Sequence, residues 1–263
     1  MDLNDIRRVA VGAAHRGGRV LRERLGKIGP ASKKGPIDLV TEADTGSETA
    51  ILSAIRANFP DHSILAEESG RRDGDPDRRW IIDPLDGTTN YAHQIPVFSV
   101  SIAFSLQGRT VVGVVLNPVS GELFTATEGG GAFLNGGPIR VSDTDAVGEA
   151  LLVTGFPYNF KENWDRIGPR FARCLHASQG VRRYGSAALD LCFVAAGRFD
   201  GFWEENLHPW DTAAGALIVR EAGGRVTDFS DAPHAPDAPE ILATNGAIHP
   251  EMITLLEPKD SSP

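Results

Sequence analysis

The first stretch of the chain carries its apolar residues at helical spacing. Ile6, Val9, Ala10, Ala13, Ala14, Val20 and Leu21 fall on one face, which predicts a helix over residues 2–25. Gly17 and Gly18 are poor helix formers, so its middle is expected to be weak. A Gly/Pro/Lys-rich stretch at 29–36 reads as a loop. A second helix is predicted over 41–58, with Thr41 placed to cap it and Pro60 to mark its end.

The pattern then shortens. Apolar runs at 63–66, 80–83, 97–106, 110–116 and 123–127 read as strands, and Gln107-Gly108-Arg109 as a hairpin turn between two of them. Glu128-Gly129-Gly130-Gly131 reads as a turn or loop. It is not a phosphate-binding P-loop, because no Gly-Lys-Ser/Thr follows. In the second half, strands are predicted at 151–154 and 199–203 and from 226, and helices at 163–176, 186–196 and 212–222. Residues 230–240 read as a surface loop, and residues from 256 onward as a frayed tail. The mixture is α+β with several antiparallel pairs.

Composition narrows this picture. A chain of 263 residues suits one large domain or two closely packed halves, about 1–145 and 146–263, with ample core. No apolar run approaches the roughly 18 residues that span a bilayer, and the acidic start Met1-Asp2-Leu3-Asn4-Asp5 is unlike a signal peptide. A cytoplasmic protein without a membrane partner is expected. Cys174 and Cys192 form no C-x-x-C pair and read as reduced core residues. The net charge of −9 argues against direct nucleic-acid binding. It also means that any bound anion needs local cations, from basic side chains or from metal ions.

The segment Trp80-Ile81-Ile82-Asp83-Pro84-Leu85-Asp86-Gly87-Thr88-Thr89-Asn90 is where such ions could sit. An apolar strand runs into Asp83, and Pro84 is expected to stop it. On a regular strand Asp83 and Asp86 would face opposite sides; across a turn they can converge, with the Leu85 carbonyl between them. Two carboxylates and a backbone oxygen form a hard-oxygen cage that suits Mg²⁺. Gly87-Thr88-Thr89 can open a helix whose first N–H groups favour an anion. An ordinary Asp-Gly turn with a Thr cap fits the same letters. Likewise Glu67-Glu68 reads as a solvated acidic pair or as metal ligands, and Asp211 as a helix cap or as a ligand.

Four motifs in order resemble the inositol monophosphatase family: Asp38-Leu39-Val40-Thr41-Glu42-Ala43-Asp44, Glu67-Glu68-Ser69, Asp83 to Asn90, and Trp210-Asp211-Thr212-Ala213-Ala214-Gly215 continuing to Glu221-Ala222-Gly223-Gly224. The match covers about residues 5–255. The resemblance implies a layered αβαβα sugar-phosphatase fold, a homodimer, lithium sensitivity, and two to three Mg²⁺ ions per site with Mn²⁺ as a substitute. It implies Glu67, Asp83, the Leu85 carbonyl, Asp86 and Asp211 as metal ligands, with Glu67 and Thr88 orienting a water and Asp44 bonded to Thr88. It places Asp86, Gly87, Thr88, Gly185, Ser186, Ala187, Glu204 and Asp211 at the substrate. Lys33 matches a basic residue near the site, although Lys34 could serve instead.

Other positions stay open. Asp190 could meet a substrate group or bond inside the fold, and Arg182 and Arg183 could touch phosphate or a dimer partner. His208 reads as structural. Leu85, Tyr91 and Pro209 depart from the commonest family wording; for Tyr91 and Pro209 this puts the fine shape of the pocket in question. The expected activity is hydrolysis of a small phosphorylated polyol or sugar, myo-inositol 1-phosphate first. The alternatives are fructose 1,6-bisphosphate, histidinol phosphate, a nucleotide 3′-phosphate or NADP. A different class, a transcription-machinery-binding protein with secondary phosphatase activity, is the rival reading.

Overall fold

The computed structural model describes residues 2–27, 32–33, 39–40 and 42–257. Helix α1 (Leu3–Arg24) runs unbroken through both glycines. A Cβ on Gly17 would lie 2.7 Å from Ser47 Oγ and 2.8 Å from Ile51 Cδ1, so the glycine lets the next helix pack close. Within the stretch expected as a loop, β1 (Ser32–Lys33) pairs antiparallel with β2 (Leu39–Val40). Helix α2 (Glu42–Asn58) follows as predicted; its expected cap, Thr41, lies outside the described residues.

A large sheet comes next. Its strands are β3 (His62–Ala66), β4 (Gly70–Arg72) and β5 (Asp75–Asp86), then, after the short helix α3 (Thr88–Ala92), β6 (Ser99–Leu106), β7 (Arg109–Asn117), β8 (Glu122–Thr127), β9 (Gly131–Leu134) and β10 (Gly137–Pro138). Their order is β10-β9-β8-β7-β6-β5-β3-β4, with β3 and β5 parallel and the other neighbours antiparallel. Gln107 and Gly108 both adopt positive φ, 51° and 79°, the backbone a two-residue hairpin turn needs. β4, β9 and β10 are too short or too polar to show in the hydrophobic pattern.

The second half supplies β11 (Leu151–Thr154), α4 (Trp164–Ala177), β12 (Gly180–Arg182), α5 (Ala187–Ala195), β13 (Gly201–Glu205), α6 (Pro209–Glu221), β14 (Arg225–Thr227), β15 (Glu240–Thr244) and α7 (His249–Leu256). These strands form a five-stranded sheet, β12-β11-β13-β15-β14. β15 and α7 were not evident in the sequence. Leu256, expected to begin a frayed tail, is the last residue of α7 and fully buried; residues 258–263 lie outside the described ones.

Alternation along the strands divides the interior into layers. On the large sheet, Trp80, Ile82, Val100, Ile102, Phe104, Val112 and Val114 pack toward Ile6, Ala10, Leu21, Ile51 and Ile55 of α1 and α2. The opposite faces of the same strands, with Ile81, Ala103, Val115 and Phe124, meet α5 and α6, which also cover Val153, Phe202 and Ile241 of the second sheet. Leu152, Trp203 and Leu242 face outward onto Cys174 of α4 and Met252 and Leu256 of α7. The result is αβαβα, as the resemblance implied. Both cysteines are buried and unpaired. No helix among the described residues is long and apolar enough to cross a membrane.

Candidate metal-dependent active site

Pro84 does not stop its strand. β5 continues to Asp86, and the pairing with β6 passes from Asp83↔Ser101 to Asp86↔Ser99 through a bulge. Pro84 and Leu85 together oppose the single residue Val100. Proline suits that place because a bulged residue gives no ladder N–H. The extra residue shifts the side-chain alternation by one step. Asp83 and Asp86, three apart in sequence, therefore face the same side, as their partners Ser101 and Ser99 do. The Leu85 side chain points the other way, into the core beneath α1 and α2, and is 1% exposed.

Three further elements complete the site. β3 delivers Glu67 just past its end, where the Glu67 N–H donates to the Ile82 carbonyl at 3.1 Å. Its neighbour Glu68 does not border the cavity; its N–H donates to Glu48 on α2 at 3.0 Å. α6 begins at Pro209, at the first helical position, where a missing N–H costs nothing. Asp211 caps that helix by accepting from the His208 N–H at 2.7 Å, and it also brings its carboxylate to Asp83 and Asp86. The two readings of Asp211 thus hold together. α5 aims its N-terminus at Asp86, whose carboxylate accepts from the Ala188 N–H at 2.9 Å, the Ala187 N–H at 3.2 Å, and the Ser186 and Ser99 hydroxyls. Asp86 fills the capping role for α5 from another strand.

Ligand oxygens of Asp83, Asp86 and Asp211 lie within 4.8 Å of one another. Burial pushes the Asp83 carboxyl well up, and the Glu67, Asp86 and Asp211 charges push the same way. Asp86 is also raised by burial, against the four hydrogen bonds it accepts. Asp211 is pushed up to about 7 by burial and by Asp86. Three carboxylates gathered under such mutual repulsion fit a hard divalent cation.

Asp44, 1% exposed, lies behind the cavity and reaches it through Thr88. The Thr88 hydroxyl donates to Asp44 Oδ1 at 3.3 Å or to the Leu85 carbonyl at 3.1 Å. Gly87 has φ 93°, and a Cβ there would lie 3.0 Å from the Gly185 carbonyl, so glycine fits both the turn and the close approach. Asn90 donates to the Val97 and Tyr184 carbonyls, each at 2.7 Å, and so ties the 184–186 segment to the acidic strand.

One cavity is bordered by Glu67, Asp83, Leu85, Asp86, Gly87, Thr88, Arg183, Gly185, Ser186, Ala187, Asp190, Glu204 and Asp211. Lys33 lies in β1, and its side chain is outside the described residues. Arg182 is exposed and does not border the cavity. Tyr91 does not shape the cavity either. Its hydroxyl donates to the Leu21 carbonyl at 2.8 Å, and burial pushes it up to about 12. His208 borders the cavity while stacked on Trp210 at 4.8 Å between centroids.

Sequence reasoning missed Gly155, Phe156, Pro157, Tyr158 and Asn206, which also border the cavity. Gly155 is the most informative. A Cβ there would lie 2.1 Å from Glu204 Oε2, so glycine is what lets this carboxylate settle against the backbone. The available signal was a glycine at the end of a predicted strand.

The inositol monophosphatase family profile matches residues 2–261. The chain belongs to this family. It is 48% identical, over 95% of its own length and 88% of the relative's, to a Synechocystis protein named inositol-1-monophosphatase. It is 45% identical, over 93% of each chain, to a Salmonella typhimurium protein named Nus factor SuhB. Among solved structures, the extragenic suppressor protein SuhB of Bartonella henselae superposes with a TM-score of 0.93 at 42% identity, covering 96% of this chain and 98% of that one. Family membership makes the protein a phosphoric monoester hydrolase. The family is metal-dependent, in keeping with the three-carboxylate cluster.

Proposed function

We propose that the protein hydrolyses a polyol monophosphate, myo-inositol 1-phosphate first among them, with Mg²⁺ at the acidic cluster. The observation that carries this reading is the pairing, in one cavity, of the Asp83, Asp86 and Asp211 cluster with the separate buried carboxyl of Glu204. Glu67, Asp83, the Leu85 carbonyl, Asp86 and Asp211 would hold the ions. Bound Mg²⁺ would neutralise phosphate charge, acidify a water and stabilise the departing alkoxide.

The chain's own groups then position and move protons. Thr88 has its hydrogen committed to Asp44 or to the Leu85 carbonyl, so its oxygen is left to accept from the attacking water. Glu67 takes the water's proton. In-line displacement at phosphorus asks chiefly for such positioning and for charge neutralisation, with no covalent nucleophile. Glu204 accepts hydrogen bonds from hydroxyls of the alcohol part. A panel of myo-inositol 1-phosphate, fructose 1,6-bisphosphate, histidinol phosphate, a nucleotide 3′-phosphate and NADP, compared by kcat/KM with and without Mg²⁺, tests this. The inositol ester is expected to rank first and to need the metal. An inositol ester in last place would refute the substrate, and equal rates without Mg²⁺ would refute the metal.

A second reading has its own support, the 45% identity to the protein named Nus factor SuhB. It predicts that an Asp83→Asn variant, inactive as a phosphatase, still retains components of the transcription machinery in a pull-down read by mass spectrometry. Loss of the phosphatase together with no such component retained would leave the enzymatic reading alone.

A further inference from the structure

Asp190 occupies the first turn of α5 and is 1% exposed. Of the two roles open to it, a hydrogen bond inside the fold fails for one of its atoms. Its Oδ1 is buried and has no hydrogen-bond partner among the described residues. Buried carboxyl oxygens are nearly always satisfied, and an unsatisfied one signals a donor that arrives from elsewhere. Asp190 borders the same cavity as the acidic cluster, so a ligand there can supply that donor.

The surroundings say what kind of donor. Glu204 lies close enough to Asp190 to raise it electrostatically, and the Arg183 guanidinium acts on both carboxyls in the opposite sense. The pair therefore already has a cation beside it. What Asp190 Oδ1 lacks is a hydrogen-bond donor, which a neutral hydroxyl provides without adding a second buried cation. The two carboxyls come from different elements, α5 and β13, so they can receive donors from different substituents of one ligand.

We propose that Asp190 is a specificity residue that acts with Glu204 by accepting a hydrogen bond from a second hydroxyl of the substrate's alcohol part. The proposal rests on the polyol reading above. It narrows the substrate class to phosphate monoesters of alcohols with at least two further hydroxyls in reach of the cavity wall.

The test compares wild type, Asp190→Ala and Asp190→Asn on myo-inositol 1-phosphate and on p-nitrophenyl phosphate, which has no hydroxyl to offer. The readout is the ratio of the two kcat/KM values. Asp190→Ala is expected to lower that ratio about 10–100-fold, the cost of leaving a buried substrate hydroxyl without its acceptor. Asp190→Asn keeps a carbonyl acceptor and is expected to recover part of the loss. An unchanged ratio in both variants overturns the proposal, whether the two rates stay level or fall together, as they would if α5 had merely shifted. If Asp190→Ala does not fold, the ratio for Asp190→Asn decides, because it is normalised within one protein. A wild-type enzyme that prefers p-nitrophenyl phosphate to every polyol phosphate removes the polyol reading and this proposal with it. A wild type that discriminates, with variants that discriminate equally well, removes only the assignment of Asp190.

Discussion

Asp83→Asn is expected to reduce Mg²⁺-dependent turnover by on the order of 10³-fold, while the metal-free protein melts at a higher temperature than wild type. The first effect follows from the proposed role of Asp83, since losing a ligand charge would weaken a metal able to supply several kcal/mol of transition-state stabilisation. The second follows from electrostatics. Asp83 is 2% exposed and raised by burial and by three neighbouring carboxylates, so without a cation its charge opposes folding. The hydrogen bond that it accepts from the Leu85 N–H at 2.9 Å can also be accepted by an Asn carbonyl. Wild-type turnover in the variant, or a lower melting temperature without metal, would contradict the assignment. Asp86→Asn is a poorer probe. Asp86 accepts from two N–H groups of α5 and two serine hydroxyls, and an amide NH₂ turned toward those donors would disturb α5 itself.

The second large effect is in stability against pH. Glu204 is pushed from the ordinary glutamate range to about 8, first by burial, with Arg183 opposing and Asp211 and Asp86 adding to the rise. The folded state therefore holds a proton that the unfolded chain has released, between the unfolded value near 4.5 and about 8. Stability is greatest below that window and falls as pH rises through it. A chelator-treated sample scanned from pH 5 to 9 should lose on the order of 5–10 °C in melting temperature. Asp211, at about 7, contributes in the same direction until a cation occupies its site. Adding Mg²⁺ should recover the Asp211 part, and Glu204→Gln should reduce the slope that remains, to which Asp190, also pushed up by burial, contributes. A melting temperature independent of pH in the metal-free wild type would show that Glu204 ionises freely.

Both effects come from residues whose candidacy was visible in the letters of the chain but whose behaviour was not. The Asp-Pro-Leu-Asp-Gly-Thr segment by itself also fits an ordinary turn, and it pointed to metal chemistry through the four ordered motifs and the family they resemble. The two aspartates converge through a bulge within the strand. Pro84 was expected to end the strand, yet the strand carries on through a bulge, since only pairing with β6 reveals that two residues oppose one. Gly17 looked like a weakness in α1 and proves to be the contact point with α2, a fact that depends on a helix 30 residues away. Pro209 and Tyr91 depart from the commonest family wording, yet neither borders the cavity. One starts α6, and the other anchors α3 to α1 outside the cavity.

The sequence by itself determined the class of chemistry and most of the elements. Hydrophobic periodicity is a local property, and the ligand types are written directly in the motifs. It also determined the family, because four short motifs in order constrain far more than any one of them. Only the tertiary structure decided how the acids are shared out. It set Asp86 at the N-terminus of α5, Asp211 at once in a helix cap and in the cluster, and Glu204 against the bare backbone of Gly155. It also left Asp190 Oδ1 buried without a hydrogen-bond partner among the described residues. The physical reason is that burial, repulsion and hydrogen-bond satisfaction are sums over neighbours distant in the chain. A sequence names the groups, but their energies are fixed when sheet and helices are brought together.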